Sequence, residues 1–444
     1  ADGKVILEAD TVIEELATDK EGKLTFTADL PIGFAYYIKE TSPAPGFATT
    51  DETQEFTFEY DGAEKEKVSY AFTFEDEPTV IEITKTSLTD GKELEGAKLQ
   101  VTDENGKIVD SWTSGKEAHI IKELVVGQKY TLTETKPADG YVTAESITFT
   151  VEDTAKPQKI EMKDDVTKVK ISKTDISGKE LPGAKLTILD KDGKTVESWT
   201  SEEKPHYIEM LPIGEHTLRE ESAPDGYLVA EDVKFTVEDT GEIQKVEMKD
   251  DVPTGTIIIN KNGEFLDKVT ALDSVGGWIK HLFQYVTGSL KDVTFEIYAL
   301  EDVKSADGES EDYYKKDELV ATITTDDTGI AKISGLPLGK YYVKEKATVD
   351  GFVLDNEARE IDLTYRDQDT AEVTYSADWQ NNRQKAKVTV VKKEKNTDRV
   401  LEGGVFALYT KNDILNAEGE VILKADTMIE QKATDQDGRI VFTA

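Results

Sequence analysis

Short alternating runs of apolar and polar residues dominate the chain. Val169/Ile171, Leu186/Ile188 and Phe235/Val237 each set two apolar side chains two residues apart. That period lines one face of a half-buried strand. Turn sequences punctuate the runs: DKEG (19–22), DENG (103–106), PADG (137–140), DKDG (190–193), PDG (224–226) and DQDG (435–438). Asp, Asn and Gly favour tight reversals there. Several short strands in each stretch of ~85 residues predict small sandwiches, so the expected fold class is all-β. One stretch follows a different rhythm. In GEFLDKVTALDSVGGWIKHLFQYVTGSL (263–290), Phe265, Val269, Leu272, Val275, Ile279, Leu282 and Val286 recur at three and four residues. This predicts a short amphipathic helical insertion, divided at Gly276–Gly277, with Trp278, His281 and Tyr285 on a neighbouring face.

The runs repeat. ITKTSLTDGKELEGAKLQVTDENGKIVDSWTS starts at Ile83, and ISKTDISGKELPGAKLTILDKDGKTVESWTS starts at Ile171. Lys85, Lys173 and Lys261 fall at even steps of 88 residues, and Lys392 is a fourth equivalent. A second marker reads YYIKETSPAPGF (36–47), YTLTETKPADGY (130–141), HTLREESAPDGY (216–227) and YYVKEKATVDGF (341–352). YAFTFED, KIEMKDD, KVEMKDD and VTYSADWQNN close the units. Such a period reads as a modular array. The expected modules are 1–79 (a back part), 80–167, 168–253, 254–384 with the insert 263–290, and 385–444 (a front part). The C-terminal AEGEVILKADTMIEQKATDQDGRIVFTA matches the N-terminal ADGKVILEADTVIEELATDKEGKLTFTA. The expectation is therefore a piece of a longer protein that begins and stops in mid-module.

Composition narrows the function. The chain has 53 basic and 91 acidic residues, a formal charge of −38, which repels nucleic acid and anionic membrane. It has no Cys, which rules out disulfides and thiolate metal sites. No run of ~20 apolar residues is present to span a membrane, and no signal peptide is visible. The DxDG-like turns lack the spacing and final Glu of a calcium loop, so they read as hairpin turns. His119, His206, His216 and His281 are scattered without metal spacing. No nucleophile triad, P-loop or dinucleotide motif occurs, so no cofactor, metal or turnover enzyme is expected. Trp112 and Trp199 occupy equivalent places and read as repeat packing.

The strand-end Lys in xIxKTD, the following GKELxGAxL, the ETxxPxGY element and the closing acidic or Asn-bearing strand together resemble the collagen-adhesin B-type, prealbumin-like modules of Gram-positive surface proteins and backbone pilins. The resemblance covers essentially the whole chain and is partial at its two ends. It implies tandem Ig-like or prealbumin-like sandwiches, each closed by a spontaneous isopeptide bond between first and last strands with a Glu assisting. Carried over, the second module joins Lys85 to Asp164 with Glu134 assisting. The third joins Lys173 to Asp250 with Glu220. The fourth joins Lys261 to an Asn with Glu345. Asn381 is preferred over Asn382, because Val373, Tyr375, Ala377 and Trp379 alternate inward and Asn381 continues that face. The first module supplies Glu40 and Asp76 without a lysine strand. The last supplies Lys392 without partners, so the two end pieces hold complementary halves.

The chemistry is sound on its own terms. An amine attacks a carboxyl or amide only when neutral, and burial lowers a Lys pKa while raising that of a carboxyl. A protonated Glu can polarise the acceptor and pass protons to the leaving water or ammonia. Held geometry can supply ~7–11 kcal/mol of the barrier. The competing reading of any one trio is a surface ion pair worth under ~1 kcal/mol, but three trios recur here at matching positions. Two functions follow. One is an extracellular, cell-wall-anchored stalk of the adhesin or pilin type. The other is a binder of a host extracellular protein, a matrix glycoprotein or immunoglobulin, through Trp278, Ile279, His281, Leu282, Phe283 and Tyr285. The insert lacks the basic face of a membrane-lying helix. The polar segment 301–318 reads as a mobile loop.

Overall fold

The structure, a computed structural model, describes residues 4–273, 279–308 and 310–443. These form two compact units. One takes the chain up to Lys170 with Tyr207–Gly214 and Thr236–Gln244; the other takes Ile171–His206, Glu215–Phe235 and the chain from Lys245 onward. Among the described residues every regular element is a strand, and no helix is long and apolar enough to cross a membrane.

In the first unit, module one contributes β1 (Ala35–Lys39) and β2 (Thr53–Thr57), paired antiparallel. Module two follows with β3 (Val80–Ser87), β4 (Lys98–Asp103), β5 (Ile108–Thr113), β6 (His119–Lys122), β7 (Lys129–Lys136), β8 (Ile147–Thr150) and β9 (Gln158–Asp164). One sheet has the order β6-β3-β9, with β3 antiparallel to β6 and parallel to β9; the other is the antiparallel β5-β4-β7-β8. The alternation read from the sequence is what separates inside from outside. Ile81, Ile83 and Met162 face Leu99, Val101, Leu132 and Phe149 across the core. Each fully buried side chain of this size stabilises by ~1.5–3 kcal/mol, and Leu132→Ala would cost ~2–5 kcal/mol.

The start of β3 is joined to the preceding module. Thr79, buried, donates its backbone N–H to the Gly46 carbonyl at 3.0 Å and its hydroxyl to the Leu124 carbonyl at 2.7 Å. Thr167 repeats this with the carbonyls of Gly140 (3.0 Å) and Leu211 (2.6 Å). Gly46 and Gly140 hold φ of 95° and 85°. A Cβ on them would lie 2.9 Å from the Glu123 carbonyl oxygen and 2.5 Å from that of Met210. Only glycine fits such a left-handed, backbone-touching position.

Module three has β10 (Lys168–Thr174), β11 (Lys185–Asp190), β12 (Thr195–Thr200), β13 (His206–Glu209), β14 (Gly214–Ser222), β15 (Val233–Val237) and β16 (Ile243–Lys249). β11 pairs antiparallel with β12 and β14, and Ile171, Leu186, Ile188, Leu218 and Met248 are buried.

Module four has β17 (Thr254–Asp273), β18 (Ile279–Ser289), β19 (Thr294–Ala299), β20 (Leu319–Thr324), β21 (Ile330–Pro337), β22 (Gly339–Ala347), β23 (Arg359–Leu363) and β24 (Glu372–Asn381). The N-terminal part of β17 lies antiparallel to β21 and parallel to β24, facing the sheet β20-β19-β22-β23. Ile257, Ile259, Phe295, Ile297, Tyr341, Val343 and Trp379 form its core. The polar segment 301–318 is tied down in part: Val303 is buried, and the N–H of Tyr313 donates to its carbonyl at 2.8 Å.

Among the described residues of 263–290 the expected helix is not seen. β17 runs on beyond Lys261 and pairs antiparallel with β18, Phe265 opposite Val286 and Val269 opposite Phe283. The physical reason lies upstream. β17 leaves the sandwich still paired to β24 as far as Gly263 opposite Asn381, so continued extension keeps its ladder intact. Val269, Thr270, Phe283, Tyr285, Val286 and Thr287 also favour a pleated surface. On β18 the exposure alternates: His281, Phe283 and Tyr285 are half-buried, whereas Leu282, Gln284 and Val286 are exposed. Spacings of three and four had concealed a period of two. Val275, Gly276, Gly277 and Trp278 lie outside the described residues.

Module five has β25 (Lys387–Val391), β26 (Val405–Tyr409), β27 (Ile414–Leu415), β28 (Val421–Leu423), β29 (Met428–Ala433) and β30 (Arg439–Thr443). The hairpin of module four reaches it. Lys280 on β18 is paired with Glu430 on β29, with Nζ 3.2 Å from Oε1. The N–H of Ala417 donates to the Leu266 carbonyl at 3.1 Å.

Candidate functional site

The inward face of β3 reads Ile81, Ile83, Lys85, and all three are buried. That of β9 reads Ile160, Met162, Asp164, and that of β7 reads Tyr130, Leu132, Glu134. Each ionisable group is thus the next step of an apolar alternation, which carries it into the core. Lys85 lies opposite Met162 in the parallel ladder, so Asp164 is the next residue on the same face. Lys85 Nζ contacts Asp164 Oδ1 and lies 2.9 Å from Glu134 Oε1. Asp164 is 1% and Lys85 2% exposed. Burial pushes the Asp164 carboxyl up to about 7; Lys85 opposes that shift and the Glu134 carboxylate adds to it. Glu134 is itself held, since its Oε2 accepts the N–H of Ala144 at 2.7 Å. Thr86, next to the lysine, donates to Glu161 at 3.0 Å and ties first strand to last.

Module three repeats these contacts. Lys173 Nζ contacts Asp250 Oδ1 and lies 3.0 Å from Glu220 Oε2. That oxygen accepts the N–H of Ala230 at 2.7 Å, and Thr174 donates to Glu247 at 2.9 Å. Burial again pushes the Asp250 carboxyl up to about 7.

Module four keeps the frame and sets an amide where the other two have a carboxyl. Lys261 lies opposite Trp379, and Asn381 is the next residue on that face. Asn381 is 1% exposed, whereas Asn382 faces solvent. Lys261 Nζ lies 2.8 Å from Glu345 Oε2, and Asn381 Nδ2 donates to Glu345 Oε1 at 2.6 Å and to Thr348 Oγ1 at 2.8 Å. Burial pulls the Lys261 ammonium pKa down, against the pull of the Glu345 carboxylate. The Phe295 ring, 5.7 Å from Nζ, walls the site and meets Trp379 edge-on.

The profile of the SpaA prealbumin-like fold domain matches residues 1–71, 79–166, 167–252 and 284–379. The chain belongs to that family. Among solved structures, the Bacillus anthracis TIE protein is 25% identical, with a TM-score of 0.41, over 69% of this chain and 51% of that one. The chain therefore spans about half of the length of that relative. BcpA, the major pilin subunit of Bacillus cereus, is 16% identical with a TM-score of 0.35, over 69% of this chain and 99% of its own. A streptococcal ancillary pilin is 15% identical with a TM-score of 0.27 over the same shares. No curated protein matches the sequence.

The fourth family match begins inside β18, so the Lys261 strand stands apart from it in sequence, separated by the hairpin arm. Each end module holds part of such a set. Glu40 Oε2 accepts the N–H of Thr50 at 2.8 Å, the same anchor as Glu134 and Glu220, and burial raises its carboxyl pKa with Asp76 nearby. Lys392 keeps the backbone frame of the other lysines: its carbonyl accepts the N–H of Leu401 at 3.0 Å, as that of Lys85 accepts Leu94 at 2.7 Å. Its side chain is exposed.

The proposed binding residues divide. Trp278 lies outside the described residues, and nothing is described of the Ile279 side chain. His281 and Phe283 are half-buried, and Tyr285 is covered by the Arg383 guanidinium, 3.8 Å from its ring; Leu282 is exposed. Trp112 stacks on His119 at 4.0 Å and Trp199 on His206 at 4.4 Å, with Asp110 and Glu197 each 2.8 Å from the imidazole. Among the described residues no group of His, Asp and Glu is placed to hold a metal ion. The backbone anchors at Ala144 and Ala230 left no mark in the side-chain pattern. The joint glycines did, as the invariant Gly of the PxGY element.

Proposed function

We propose that the chain is part of a Gram-positive cell-surface stalk of the pilin or adhesin type, exported and fixed to the wall, whose complete modules crosslink themselves once after folding. The observation that carries this reading is the buried trio of Lys, Glu and acceptor, met three times at one place in the fold. Isolated buried charges are costly, and nothing about packing calls for three such sets. In modules two and three the amine of Lys85 or Lys173 attacks the carboxyl carbon of Asp164 or Asp250, a C–N bond forms, and one water leaves. In module four Lys261 attacks Cγ of Asn381 and ammonia leaves. The Glu takes the proton that the amine sheds and returns it to the leaving group. Each site acts once, so the chemistry is maturation rather than enzyme turnover.

A bond between the first and last strands lets tension pass along the chain without loading the ladders between them. By analogy with disulfides, closing loops of this length adds ~4–5 kcal/mol. Pulling single chains by atomic force microscopy tests this use: locked modules resist extension, whereas Lys85→Met, Lys173→Met and Lys261→Met chains unravel fully. Equal extension of both would remove the stalk reading. A second reading, capture of a host matrix glycoprotein or immunoglobulin, rests on the exposed Leu272, Leu282 and Val286 of the hairpin. Retention of a serum protein by the chain, lost when 264–288 are replaced by a short turn, would favour it.

A further inference from the structure

Module four differs from its siblings at one further place, and the difference sits on the acceptor. Three residues after the assisting Glu, module one has Pro43, module two Pro137 and module three Ala223; module four has Thr348. The hydroxyl occurs only where the acceptor is an amide. Thr348 Oγ1 accepts from Asn381 Nδ2 at 2.8 Å while Glu345 Oε1 accepts from the same nitrogen at 2.6 Å. Both amide hydrogens are thus engaged, and Oδ1 is buried without a hydrogen-bond partner among the described residues. Turned over, the amide would set its oxygen against the Glu345 carboxylate, a repulsive pairing in a dry site.

Resting on the crosslink reading above, we propose that Thr348 is a positioning residue that fixes the Asn381 amide with its leaving nitrogen on Glu345, committing this module to loss of ammonia. Glu345 spans the two nitrogens that exchange a proton, with Oε2 at 2.8 Å from Lys261 Nζ and Oε1 at 2.6 Å from Nδ2. Neutral Lys261 attacks Cγ, and the C–N bond forms. The Glu345 carboxylate accepts a proton from Nζ and then passes that same proton to Nδ2, which is amine-like and basic in the tetrahedral adduct. The Cγ–Nδ2 bond breaks and ammonia leaves, with no co-reactant needed. Thr348 keeps hold of one N–H throughout, so the nitrogen lone pair turns to Glu345. In modules two and three the two carboxyl oxygens are interchangeable, so no such selection is required.

The test follows bond formation in the full chain, recovered unfolded in urea and refolded by dilution. Samples are quenched over time, and the Lys261–Asn381, Lys85–Asp164 and Lys173–Asp250 peptides are read by mass. Thr348→Val should slow ammonia loss in module four about tenfold, the loss of one well-placed hydrogen bond, and leave the other two bonds at their normal rates. Thr348→Ser should restore the rate to within about threefold of the parent chain, which shows that folding is not at fault. With Asn381→Asp in place, Thr348→Val should change the rate by less than about threefold, because the selected nitrogen is gone. A normal rate in Thr348→Val, or an equal slowing with and without Asn381→Asp, overturns the role of Thr348 and leaves the crosslinks standing. A parent chain that never loses ammonia from this pair overturns both.

Discussion

Modules two and four hold the lysine in the same backbone frame and engage the buried Glu beside it in two ways. In module two Glu134 is tied by one oxygen to the Ala144 N–H, and the acceptor is a carboxyl raised by burial to about 7. In module four Glu345 bridges Lys261 and Asn381, and a threonine holds the acceptor. On the proposed crosslinks, the strand geometry would deliver the nucleophile, and the groups around Asp164 or Asn381 would decide which leaving group is served. The frame itself is insensitive to this choice: Lys85 and Lys261 stand opposite Met162 and Trp379, with the acceptor next on that face in both.

The largest expected effect removes the helper. Glu134→Ala, Glu220→Ala and Glu345→Ala should each slow their own module's bond by ~10²–10⁴-fold and leave the other two intact. Peptide masses after refolding check this, and a loss spread over all modules would break the comparison. Next comes pH. A module-two site carrying protons on both Lys85 and Asp164 must lose one before the amine can attack. Its rate should therefore fall tenfold per unit below about 7, to about one hundredth at pH 5. Module four has no such carboxyl acceptor. Its rate should follow the lowered pKa of Lys261 alone, so the two profiles should differ.

The stability of an unlocked chain carries the same signature. In Lys85→Met, Asp164 loses the cation that opposes its raised pKa. Its folded pKa thus stays above the unfolded value near 4. The folded module then holds the proton more tightly, so stability is highest at low pH and declines as pH rises toward 7. The loss is on the order of 4 kcal/mol. Urea melts at pH 5 and pH 7.5 check the sign. Smaller still is the joint: Gly140→Ala strains a left-handed residue against the Met210 carbonyl and should cost ~1–3 kcal/mol without touching any crosslink. Smallest is Lys280→Ala, which removes a partly exposed ion pair to Glu430 and should cost under ~1 kcal/mol.

Much of this was legible in the sequence, for reasons that can be named. Ile81, Ile83 and Lys85 share one strand face because the period is two, and the same count carried Val373, Tyr375, Ala377 and Trp379 on to Asn381. The hairpin was not legible. Its spacings of three and four fit a helix as well as two strands with a bulge, and what decides between them is the ladder that β17 inherits from β24. Nor could spacing show the anchors at Ala144 and Ala230, which are backbone groups, or Thr348, whose meaning depends on the atom it touches. Gly46 and Gly140 were visible as a motif, but their contact with the backbone of Glu123 and Met210 is tertiary.

The proposed crosslinking is tested most directly by the mass of the intact chain, purified after folding and measured under denaturing conditions. Three formed bonds leave a deficit of two waters and one ammonia from the mass of the sequence. Peptide mapping should assign these to Lys85–Asp164, Lys173–Asp250 and Lys261–Asn381. A mass equal to that of the sequence would contradict it, leaving three buried ion clusters with no covalent purpose.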